Sequence, residues 1–476
     1  MTTAQARPTS APALPQLPPF SHKPALYSGP SKAEVLAMRK EFCTPALVTY
    51  YRDPIMLVEG KMQYLYDETG RRYLDAIGGI VTISVGHCHP KVMAAVNAQN
   101  ALLQHATTIY LHPTIAQYAK KLASTFPKDS GLSSVYFVNS GSEANDLAIL
   151  MARAFTGNFD IIALRNAYHG GSSTPMALTA HSTWKFNTPH SFGIQHALLP
   201  DRYRGPYGYN DPNAGPKYAA DVQDLIRQGT SGKIAAFIAE PIQGVGGVVE
   251  MPPGYLPAVY NSVRAAGGLC ISDEVQTGFG RTGDGFWGFE TALRGIAVSA
   301  VPASSSSPLF PDIVTMAKGI GNGCPLAAVV TRPDIAKTLT SRIHFNTFGG
   351  NPVSMAQGLA TLNILLDENY QQKAKDTGAY LRAGLESLQK KHPLIGDIRG
   401  RGLMLGVELV ESRESKAPAT KQTADIFERC KDLGLIIGKG GFAGNVLRIK
   451  PPMCLTKADC DFLVAVLDAA LREAER

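Results

Sequence analysis

The sequence has little of several features that mark particular classes of protein. Gly, Pro, Ser or a charged residue interrupts every apolar run before the roughly 18 residues that span a bilayer. The 46 Lys and Arg against 39 Asp and Glu give only +7 over 476 residues, without a basic block, so a nucleic-acid partner is not expected. With 45% apolar and 18% charged residues, the composition excludes a disordered chain and a coiled coil and predicts a globular protein of two or three domains.

Cysteine pairs are absent as well. The seven cysteines form an odd set without a C-x-x-C pair, which argues against a disulfide framework or structural zinc site and favours a reducing compartment. The run His87-Cys88-His89 contains metal-ligating side chains, but alternate residues of a strand or turn point to opposite sides and no further ligand is indicated. We therefore expect no metal.

The first 33 residues differ in composition from the rest of the chain. They are rich in Ala, Pro, Ser and Thr and contain no acid before Glu34, a bias shared with organelle transit peptides. They also contain a single Arg in the first 22 residues and several prolines, which disfavour the amphipathic helix of a mitochondrial presequence. Residues 1–33 are interpreted as a disordered tail or a transit remnant.

Short apolar runs separated by helical patterns dominate the middle of the chain. Ahead of them, two alternating segments around a Glu-Thr-Gly turn at 62–75 predict a β-hairpin. Runs this continuously apolar are typical of strands buried on both faces, and their helical spacing predicts an α/β fold with a mostly parallel central sheet. The predicted strands are 135–138, 161–164, 235–239, 269–272, 313–316 and 326–330, with later candidates at 402–409 and 446–449.

The same patterns predict the domain organisation. We expect a large domain at 86–350, with helices on both faces of the sheet, and a smaller α+β domain at 351–476 that ends in an amphipathic helix. The N-terminal segment 34–85, which contains the hairpin, is assigned to the smaller domain. The segment 293–310 has no periodicity and four consecutive serines, and we interpret it as an inserted surface loop.

Polar residues follow two of the predicted strands, at the sheet edge where α/β proteins bind ligands. After one strand comes Ser140-Gly141-Ser142, a turn into a helix whose free N–H groups and dipole could hold a phosphate. The same pattern is also an ordinary helix N-cap. After the next strand comes Tyr168, whose ring could stack on an aromatic cofactor or pack against its neighbours.

Two charged residues occupy equivalent positions farther along. Asp273 places a carboxylate at a buried strand end, where a cap or an ion-pair partner would be the ordinary role. Lys318 precedes a glycine-rich loop, and a desolvated amine there is more readily neutral and nucleophilic. A lysine, an acid, a phosphate site and a stacking ring fit pyridoxal phosphate together, although none of them requires that cofactor separately.

Eight segments in order are more specific than these residues alone: SVGHCHP, NSGSEAN, AYHG, AEPIQG, DEVQTGFGR, MAKGIGNG, HFNTFGGNP and RIKPPMC. With them, the chain from Tyr50 onward resembles the class III pyridoxal-phosphate-dependent aminotransferases, and within these the alanine–glyoxylate branch. The resemblance implies the type I fold of pyridoxal-phosphate-dependent transferases. It also implies a ping-pong reaction in which L-alanine gives its amino group to glyoxylate, with pyruvate and glycine as products.

Residue by residue, the resemblance implies how the cofactor is held. Lys318 would form the Schiff base with pyridoxal phosphate and then move the substrate proton, and Asp273 would keep the pyridine nitrogen protonated. Gln276 would bond the ring hydroxyl, with Val275 under the ring and Tyr168 over it.

The resemblance also implies a site shared between subunits. Ser140, Gly141 and Ser142 would bind the phosphate together with Thr347 of the neighbouring subunit, because family members form each site across the interface of a homodimer or tetramer. Arg448 would clamp the substrate α-carboxylate, a role that suits a two-pronged guanidinium.

Substrate choice has further candidates. Glu240 matches a family glutamate near a second arginine, where related enzymes distinguish donors with and without a distal amine. Ile80 and Val81 match residues that line the substrate pocket, and their apolar side chains would favour small substrates.

Other readings stay open. An ω-amino-acid, β-amino-acid or ornithine-type transaminase is one, and a decarboxylase or aminomutase of the same fold is another. A non-enzymatic binder of the cofactor is disfavoured by Lys318, Asp273 and Arg448, since a scaffold needs no carboxylate clamp. The resemblance implies the mitochondrial matrix, whereas the weak presequence also allows the cytosol.

Overall fold

The computed structural model describes residues 14–293 and 310–476. Almost all of the predicted insertion at 293–310, and the start of the predicted tail, lie outside the described residues. The helices are α1 (Lys32–Phe42), α2 (Gly78–Val81), α3 (Pro90–Leu102), α4 (Pro113–Ala123), α5 (Gly141–Thr156), α6 (Ser173–Leu178), α7 (Ala214–Gly229), α8 (Tyr255–Ala265), α9 (Gly288–Ala292), α10 (Pro333–Ala336), α11 (Pro352–Asp367), α12 (Tyr370–Lys391), α13 (Thr420–Asp432) and α14 (Lys457–Ala474).

The strands, numbered in the same way, form three larger sheets and one short pair. They are β1 (Leu57–Lys61), β2 (Tyr64–Asp67), β3 (Arg72–Asp75), β4 (Ser134–Val138), β5 (Ile161–Leu164), β6 (Ile194–Ala197), β7 (Ala236–Ala239), β8 (Ile242–Gln243), β9 (Val249–Glu250), β10 (Leu269–Asp273), β11 (Ile313–Met316), β12 (Ala327–Thr331), β13 (Ile395–Arg401), β14 (Met404–Leu409), β15 (Leu435–Ile436), β16 (Gly438–Gly440) and β17 (Val446–Ile449).

A seven-stranded sheet forms the centre of the fold, in the order β4-β12-β11-β10-β7-β5-β6. Strands β6, β5, β7, β10 and β11 pair in parallel, whereas β12 runs antiparallel to both β11 and β4. The predicted mostly parallel sheet is therefore confirmed, with β12 as its reversed strand. Because β4, β5, β7, β10 and β11 run the same way, the residues that follow them meet at one edge of the sheet.

Helices cover both faces of this sheet. Along β5, Ile161 and Ala163 pack with residues of α5, whereas Ile162 and Leu164 pack with residues of α7 and α8. This division follows from the alternation of side chains along a strand. All four side chains are fully buried, which explains why β5 is a continuous apolar run in the sequence.

The two other large sheets contain four strands each. The predicted hairpin is confirmed, since β2 and β3 pair antiparallel, and β15 of the C-terminal part pairs parallel with β3. Strands β13, β14, β17 and β16 form an antiparallel sheet. The division of the chain at residues 85 and 350 stays a prediction. No helix within 14–293 and 310–476 has the length and apolar character needed to cross a membrane.

The described part of the predicted tail contacts the hairpin. Residues 14–31 contain no helix or strand, but the ring of Phe20 lies 4.7 Å from that of Tyr64. Arg72 donates a hydrogen bond to the carbonyl oxygen of Pro18. This stretch therefore lies against the surface of β2 and β3.

The element α2 is a left-handed turn. Gly78, Gly79, Ile80 and Val81 have φ values of +59°, +58°, +63° and +68°, a region that residues branched at Cβ rarely adopt. Ile80 is 55% exposed, whereas Val81 is buried. The backbone at Ile80 and Val81 is therefore strained. The N–H of Ile83 donates a hydrogen bond to the carbonyl oxygen of Gly78 at 3.0 Å, which closes the turn.

Candidate active site

A cavity of about 360 Å³ lies at the edge of the central sheet where its parallel strands end. Its lining comes from the segments that follow β4, β5, β7, β10 and β11. The predicted site residues that line it are Ser140, Gly141, Ser142, Tyr168, Glu240, Asp273, Val275, Gln276 and Lys318.

Asp273 is the last residue of β10 and is 3% exposed. Its Oδ2 accepts hydrogen bonds from Asn145 Nδ2 at 2.9 Å and from His169 Nδ1 at 2.8 Å. Its Oδ1 accepts the backbone N–H of Val275 at 3.1 Å. A carboxylate oxygen only accepts, so His169 carries its proton on Nδ1. Donors on both oxygens therefore hold the Asp273 carboxylate in one orientation at the cavity.

Lys318 is separated from β11 by Ala317 and has a φ of +53°. This left-handed conformation is uncommon for a residue with a side chain and is typical of strained functional sites. Burial lowers the pKa of Lys318, while the charges of Asp273 and Glu240 act in the opposite direction. The amine is therefore deprotonated more easily than that of an exposed lysine, as nucleophilic attack on a carbonyl requires.

Glu240 follows β7 directly and is 3% exposed. Its Oε2 accepts the N–H of Gly244 at 2.8 Å, and its Oε1 accepts the N–H of Tyr168 at 3.2 Å. Burial, and then the charge of Asp273, raise the pKa of Glu240. Its partners are thus backbone groups, and in the described part of the chain no arginine forms an ion pair with it.

The N-terminus of α5 lies at the same cavity. Ser140 is its N-cap: Ser140 Oγ accepts the N–H of Glu143 at 3.2 Å, and the Glu143 carboxylate accepts the N–H of Ser140 at 3.1 Å. The cap leaves the N–H groups of Gly141 and Ser142 for a ligand. A Cβ on Gly141 would lie 3.2 Å from Val275, so glycine lets this backbone approach the cavity floor closely.

Arg448 lies in β17, is 8% exposed and does not line the cavity. Its guanidinium donates to the carbonyl oxygens of Lys439 at 3.1 Å and Gly244 at 3.4 Å. Burial lowers its pKa. Within the described residues it has no carboxylate partner. Gly244 connects the two sides, because its N–H binds Glu240 while its oxygen binds Arg448.

Of the remaining predicted residues, Tyr168 lines the cavity, whereas Thr347, Ile80 and Val81 do not. The ring of Tyr168 meets that of Trp184 edge-on at 5.2 Å. Thr347 is exposed and is not in the lining of this chain's cavity. Ile80 and Val81 are also not part of the lining, although the next residue, Thr82, is. The structure thus brings the cofactor candidates of one subunit together and leaves Thr347, Ile80 and Val81 outside the cavity.

Three residues at the site received no role from the sequence. Asn145 lies one helical turn after Gly141, so its position on the cavity face of α5 follows from helical periodicity. His169 is adjacent to Tyr168 in the AYHG segment. Lys450 is fully buried two residues after Arg448, a spacing that places both side chains on one side of an extended chain. Their bonding partners come from distant segments, and no local signal identifies them.

Comparison with known proteins now identifies the family. A family model for class III aminotransferases matches residues 48–471. This chain belongs to the class III aminotransferases. The aminotransferase is therefore a pyridoxal-phosphate-dependent transaminase that acts on amino and keto acids, and its fold is the one expected for such transferases.

The aminotransferase is similar in sequence to a plant and a human protein. The chain is 53% identical over 456 residues to "Alanine--glyoxylate aminotransferase 2 homolog 2, mitochondrial" of Arabidopsis thaliana, covering 96% of this chain and 91% of the plant protein. It is 42% identical over 479 residues to "Alanine--glyoxylate aminotransferase 2, mitochondrial" of Homo sapiens, covering 96% and 90% of the two chains.

Solved structures of the same fold belong to enzymes with several different activities. A phospholyase from Arthrobacter in complex with phosphoethanolamine has a TM-score of 0.83 at 34% identity, covering 92% of this aminotransferase and 99% of that chain. An (S)-enantioselective omega-transaminase from Thermomicrobium roseum has a TM-score of 0.84 at 32% identity, with 94% and 100% coverage. An amine transaminase from an uncultivated Pseudomonas species, described as PLP-bound in the internal aldimine form, has a TM-score of 0.82 at 29% identity, with 91% and 99% coverage.

Proposed function

We propose that this aminotransferase moves the amino group of L-alanine to glyoxylate, giving pyruvate and glycine in two half-reactions. The observation that carries the proposal is the cavity itself, which both Lys318 and Asp273 line from the ends of adjacent parallel strands. The names of the plant and human relatives, at 53% and 42% identity over nearly the whole chain, support alanine and glyoxylate as the substrates.

The cavity has the donors and acceptors that pyridoxal phosphate needs. Lys318 offers an amine of lowered pKa, and Asp273 offers a carboxylate fixed from both oxygens. Gly141 and Ser142 supply first-turn N–H groups for the phosphate. Gln276 has no hydrogen-bond acceptor for its Nε2 among the described residues, so this donor is left for the ring. These residues fit the cofactor.

When bound, the cofactor supplies an electron-withdrawing ring that makes a proton on the substrate α-carbon removable. Lys318 would hold the cofactor through its amine, and its Nζ would carry the proton of the substrate α-carbon. Asp273 holds a proton on the ring nitrogen, since an anionic carboxylate favours the protonated form of a base that it contacts. Val275 and Tyr168, which both line the cavity, would hold the ring between them.

Arg448 supports the assignment of an α-amino or α-keto acid as substrate. A buried guanidinium without a carboxylate partner in the described residues is suited to bind a carboxylate from outside. Glu240, held by backbone N–H groups near Gly244, is proposed to limit the space beside it. Ile80 and Val81, which precede the cavity residue Thr82, are proposed to line the substrate pocket and favour small substrates.

The site is proposed to be completed by a second copy of the chain, in a homodimer or a tetramer. Thr347 lies in an exposed segment, and Asn346 next to it accepts a hydrogen bond from Asn139 at 3.0 Å. Asn139 lines the cavity, so the segment is near the site without closing it in one subunit. We propose that Thr347 of a neighbouring subunit contacts the phosphate.

The mitochondrial matrix is the proposed compartment. Both curated relatives carry "mitochondrial" in their names, and the free thiols of the described cysteines suit a reducing compartment.

Two other activities have specific support. Similarity to the omega-transaminase supports a donor with a distal amine as one alternative. Similarity to the phospholyase, which was solved with phosphoethanolamine, supports a lyase reaction as the other. Phosphoethanolamine and simple ω-amines lack the α-carboxylate that Arg448 would bind, so this residue favours an amino acid as the donor. Ornithine has an α-carboxylate as well as a distal amine, and only a comparison of donors distinguishes it from alanine.

The test is the visible spectrum of the purified protein with its cofactor. L-Alanine should remove the absorption band of the lysine-bound cofactor, and glyoxylate should restore it, since each half-reaction reverses the state of the ring. β-Alanine, ornithine and phosphoethanolamine are the matched controls. A band that responds to one of these and ignores alanine would overturn the proposed substrates.

A further inference from the structure

Lys450 is a buried lysine with an unusual set of partners. It follows β17 directly and is 0% exposed. Its Nζ donates to Gln276 Oε1 at 2.8 Å and to the carbonyl oxygen of Gly244 at 3.3 Å. Among the described residues no carboxylate forms an ion pair with it. Burying an amine without an anionic partner costs free energy, and an apolar side chain would fill this space with less penalty.

The contact with Gln276 determines which way the Gln276 amide faces. Lys450 Nζ has at least two hydrogens in either protonation state, enough for the two carbonyl oxygens it contacts. In the structure the amide accordingly turns its oxygen toward Lys450 and its Nε2 away from it. A Cβ on Gly244 would lie 2.4 Å from the amide of Gln276, so the amide packs directly on the backbone of Gly244 along one side.

The other end of the amide belongs to the cavity. Gln276 lines the cavity and is 5% exposed, and in the described part of the chain its Nε2 has no acceptor. We infer that Lys450 is a positioning residue, which holds Gln276 Oε1 so that the Nε2 hydrogens stay turned into the cavity as donors to an oxygen of the bound cofactor ring. This rests on the proposed function only in that a pyridoxal cofactor occupies the cavity.

The charges around Lys450 agree with a role as a donor of hydrogen bonds. Burial lowers its pKa most, Arg448 lowers it next, and Lys318 and Arg281 add to this effect, whereas Glu240 opposes it. A neutral amine keeps two N–H groups, so the contact with Gln276 persists when Lys450 loses its proton.

The experiment titrates the visible band of the cofactor-loaded holoenzyme with pH, without any substrate. In Lys450→Met, which keeps the length of the side chain and removes the donor, Gln276 can turn and its bond to the ring oxygen weakens. That bond favours the deprotonated form of the bound cofactor, so its loss should raise the apparent pKa of the band by about 0.5 to 1 unit. Lys431→Met is the matched control, because Lys431 is also a buried lysine but contacts Asp53 and Glu428.

A double-mutant cycle separates positioning from a general effect on the fold. If Lys450 acts through Gln276, Lys450→Met should produce no further shift in a Gln276→Leu background. An unchanged titration in the single variant, or an equal shift in both backgrounds, would overturn the inference. If Lys450→Met does not fold, as judged by its melting temperature, Lys450→Gln replaces it in the same cycle, because its amide ends one bond short of the Lys450 Nζ position and loses the contact with Gln276 Oε1. It should raise the apparent pKa in the same direction, and an unmoved band would again overturn the inference.

The two proposals fail in different ways. Absence of any band after addition of cofactor, or a band that ignores alanine and glyoxylate, counts against the proposed function. The Lys450 inference depends on the pH at which an existing band changes, whichever amine the enzyme accepts.

Discussion

The acidic and basic groups around the cavity differ in how their charges are balanced. The acid pair, Asp273 and Glu240, lies at the ends of central strands, and each carboxylate accepts hydrogen bonds at both oxygens. The cation pair, Arg448 and Lys450, belongs to the C-terminal sheet and donates to carbonyl oxygens. Hydrogen bonds from the protein thus already stabilise the negative charges of the two acids. The two basic residues have no anionic partner among the described residues, and an anionic ligand can provide one.

Lys318 lies between these two groups and is affected by both. The charges of Asp273 and Glu240 favour its ammonium form, and the charge of Arg448 disfavours it. The reactivity of the amine therefore depends on the balance between an acid pair from one sheet and a cation from another. Each of the following variants removes one part of that balance.

The largest effect is expected from Lys318→Ala, which removes the nucleophile itself. Turnover should fall by a factor on the order of 10⁴ or more, and the visible band of the lysine-bound cofactor should disappear. Steady-state assays and absorption spectra measure both. Lys431→Ala, which removes a lysine far from these groups, should keep the band and the rate. Full activity in Lys318→Ala would contradict the site assignment.

Arg448→Lys tests whether the cation pair binds the substrate carboxylate. Lysine keeps the charge but loses the two-pronged geometry, so KM for alanine and glyoxylate should rise roughly 10- to 100-fold with a smaller change in kcat. Initial rates over a range of each substrate give this result. A fall in kcat at constant KM would assign Arg448 to the chemistry and away from binding.

The pH dependence of cofactor capture distinguishes the acid pair from the cation. The apoenzyme captures the cofactor through neutral Lys318, so the rate of band formation should rise with pH through the pKa of this amine. Asp273→Asn removes a charge that raises this pKa, and the midpoint should move to lower pH. Arg448→Leu removes a charge that lowers the pKa, and the midpoint should move to higher pH.

Stopped-flow absorbance over a pH series measures these midpoints. Shifts of both variants in the same direction would show that the two groups do not act on Lys318 through their charges. The rate reached at high pH is the internal control, since it reports binding by the fully deprotonated amine.

The smallest effect is expected from Asn145→Leu. This change removes one of the two side-chain donors to Asp273 Oδ2 but leaves His169 in place. Loss of a single hydrogen bond to a charged group should reduce kcat by about 10-fold. Asn158→Leu removes a comparable asparagine bond, to the carbonyl oxygen of Ile234, and should leave kcat unchanged. An equal loss in both variants would indicate a general loss of stability.

Continuously apolar strands were predictable from sequence, whereas β6 and β13, which contain polar residues, were missed. The apolar run at 161–164 became β5 without a change of bounds, because burial on both faces requires apolar side chains throughout. Strand β6 has the sequence Ile-Gln-His-Ala and lies at the sheet edge, so half of its side chains are polar. Strand β13 was also missed, since Asp397 and Arg399 interrupt its pattern and are buried as an ion pair with an N–O distance of 2.9 Å.

At the site, the sequence predicted which residues lie at strand ends, but it did not predict which side chains bond to one another. Asp273 and Lys318 follow apolar runs, and the rule that ligands bind beyond strand ends selects them. The contact between Lys450 and Gln276 spans 174 residues, and its existence depends on how the C-terminal sheet is placed against the loop after β10. Periodicity within either segment carries no information about that placement.

The left-handed turn at α2 has a consequence for altering the enzyme. Ile80 combines a backbone that costs roughly 1–2 kcal/mol for a side chain of its type with a side chain that is 55% exposed. Ile80→Gly would relieve that cost, and little burial would be lost because more than half of the side chain is exposed. Position 80 is therefore one where a large side chain can be removed with little loss of thermal stability, because the freer backbone of glycine in the unfolded chain offsets the relief of the turn.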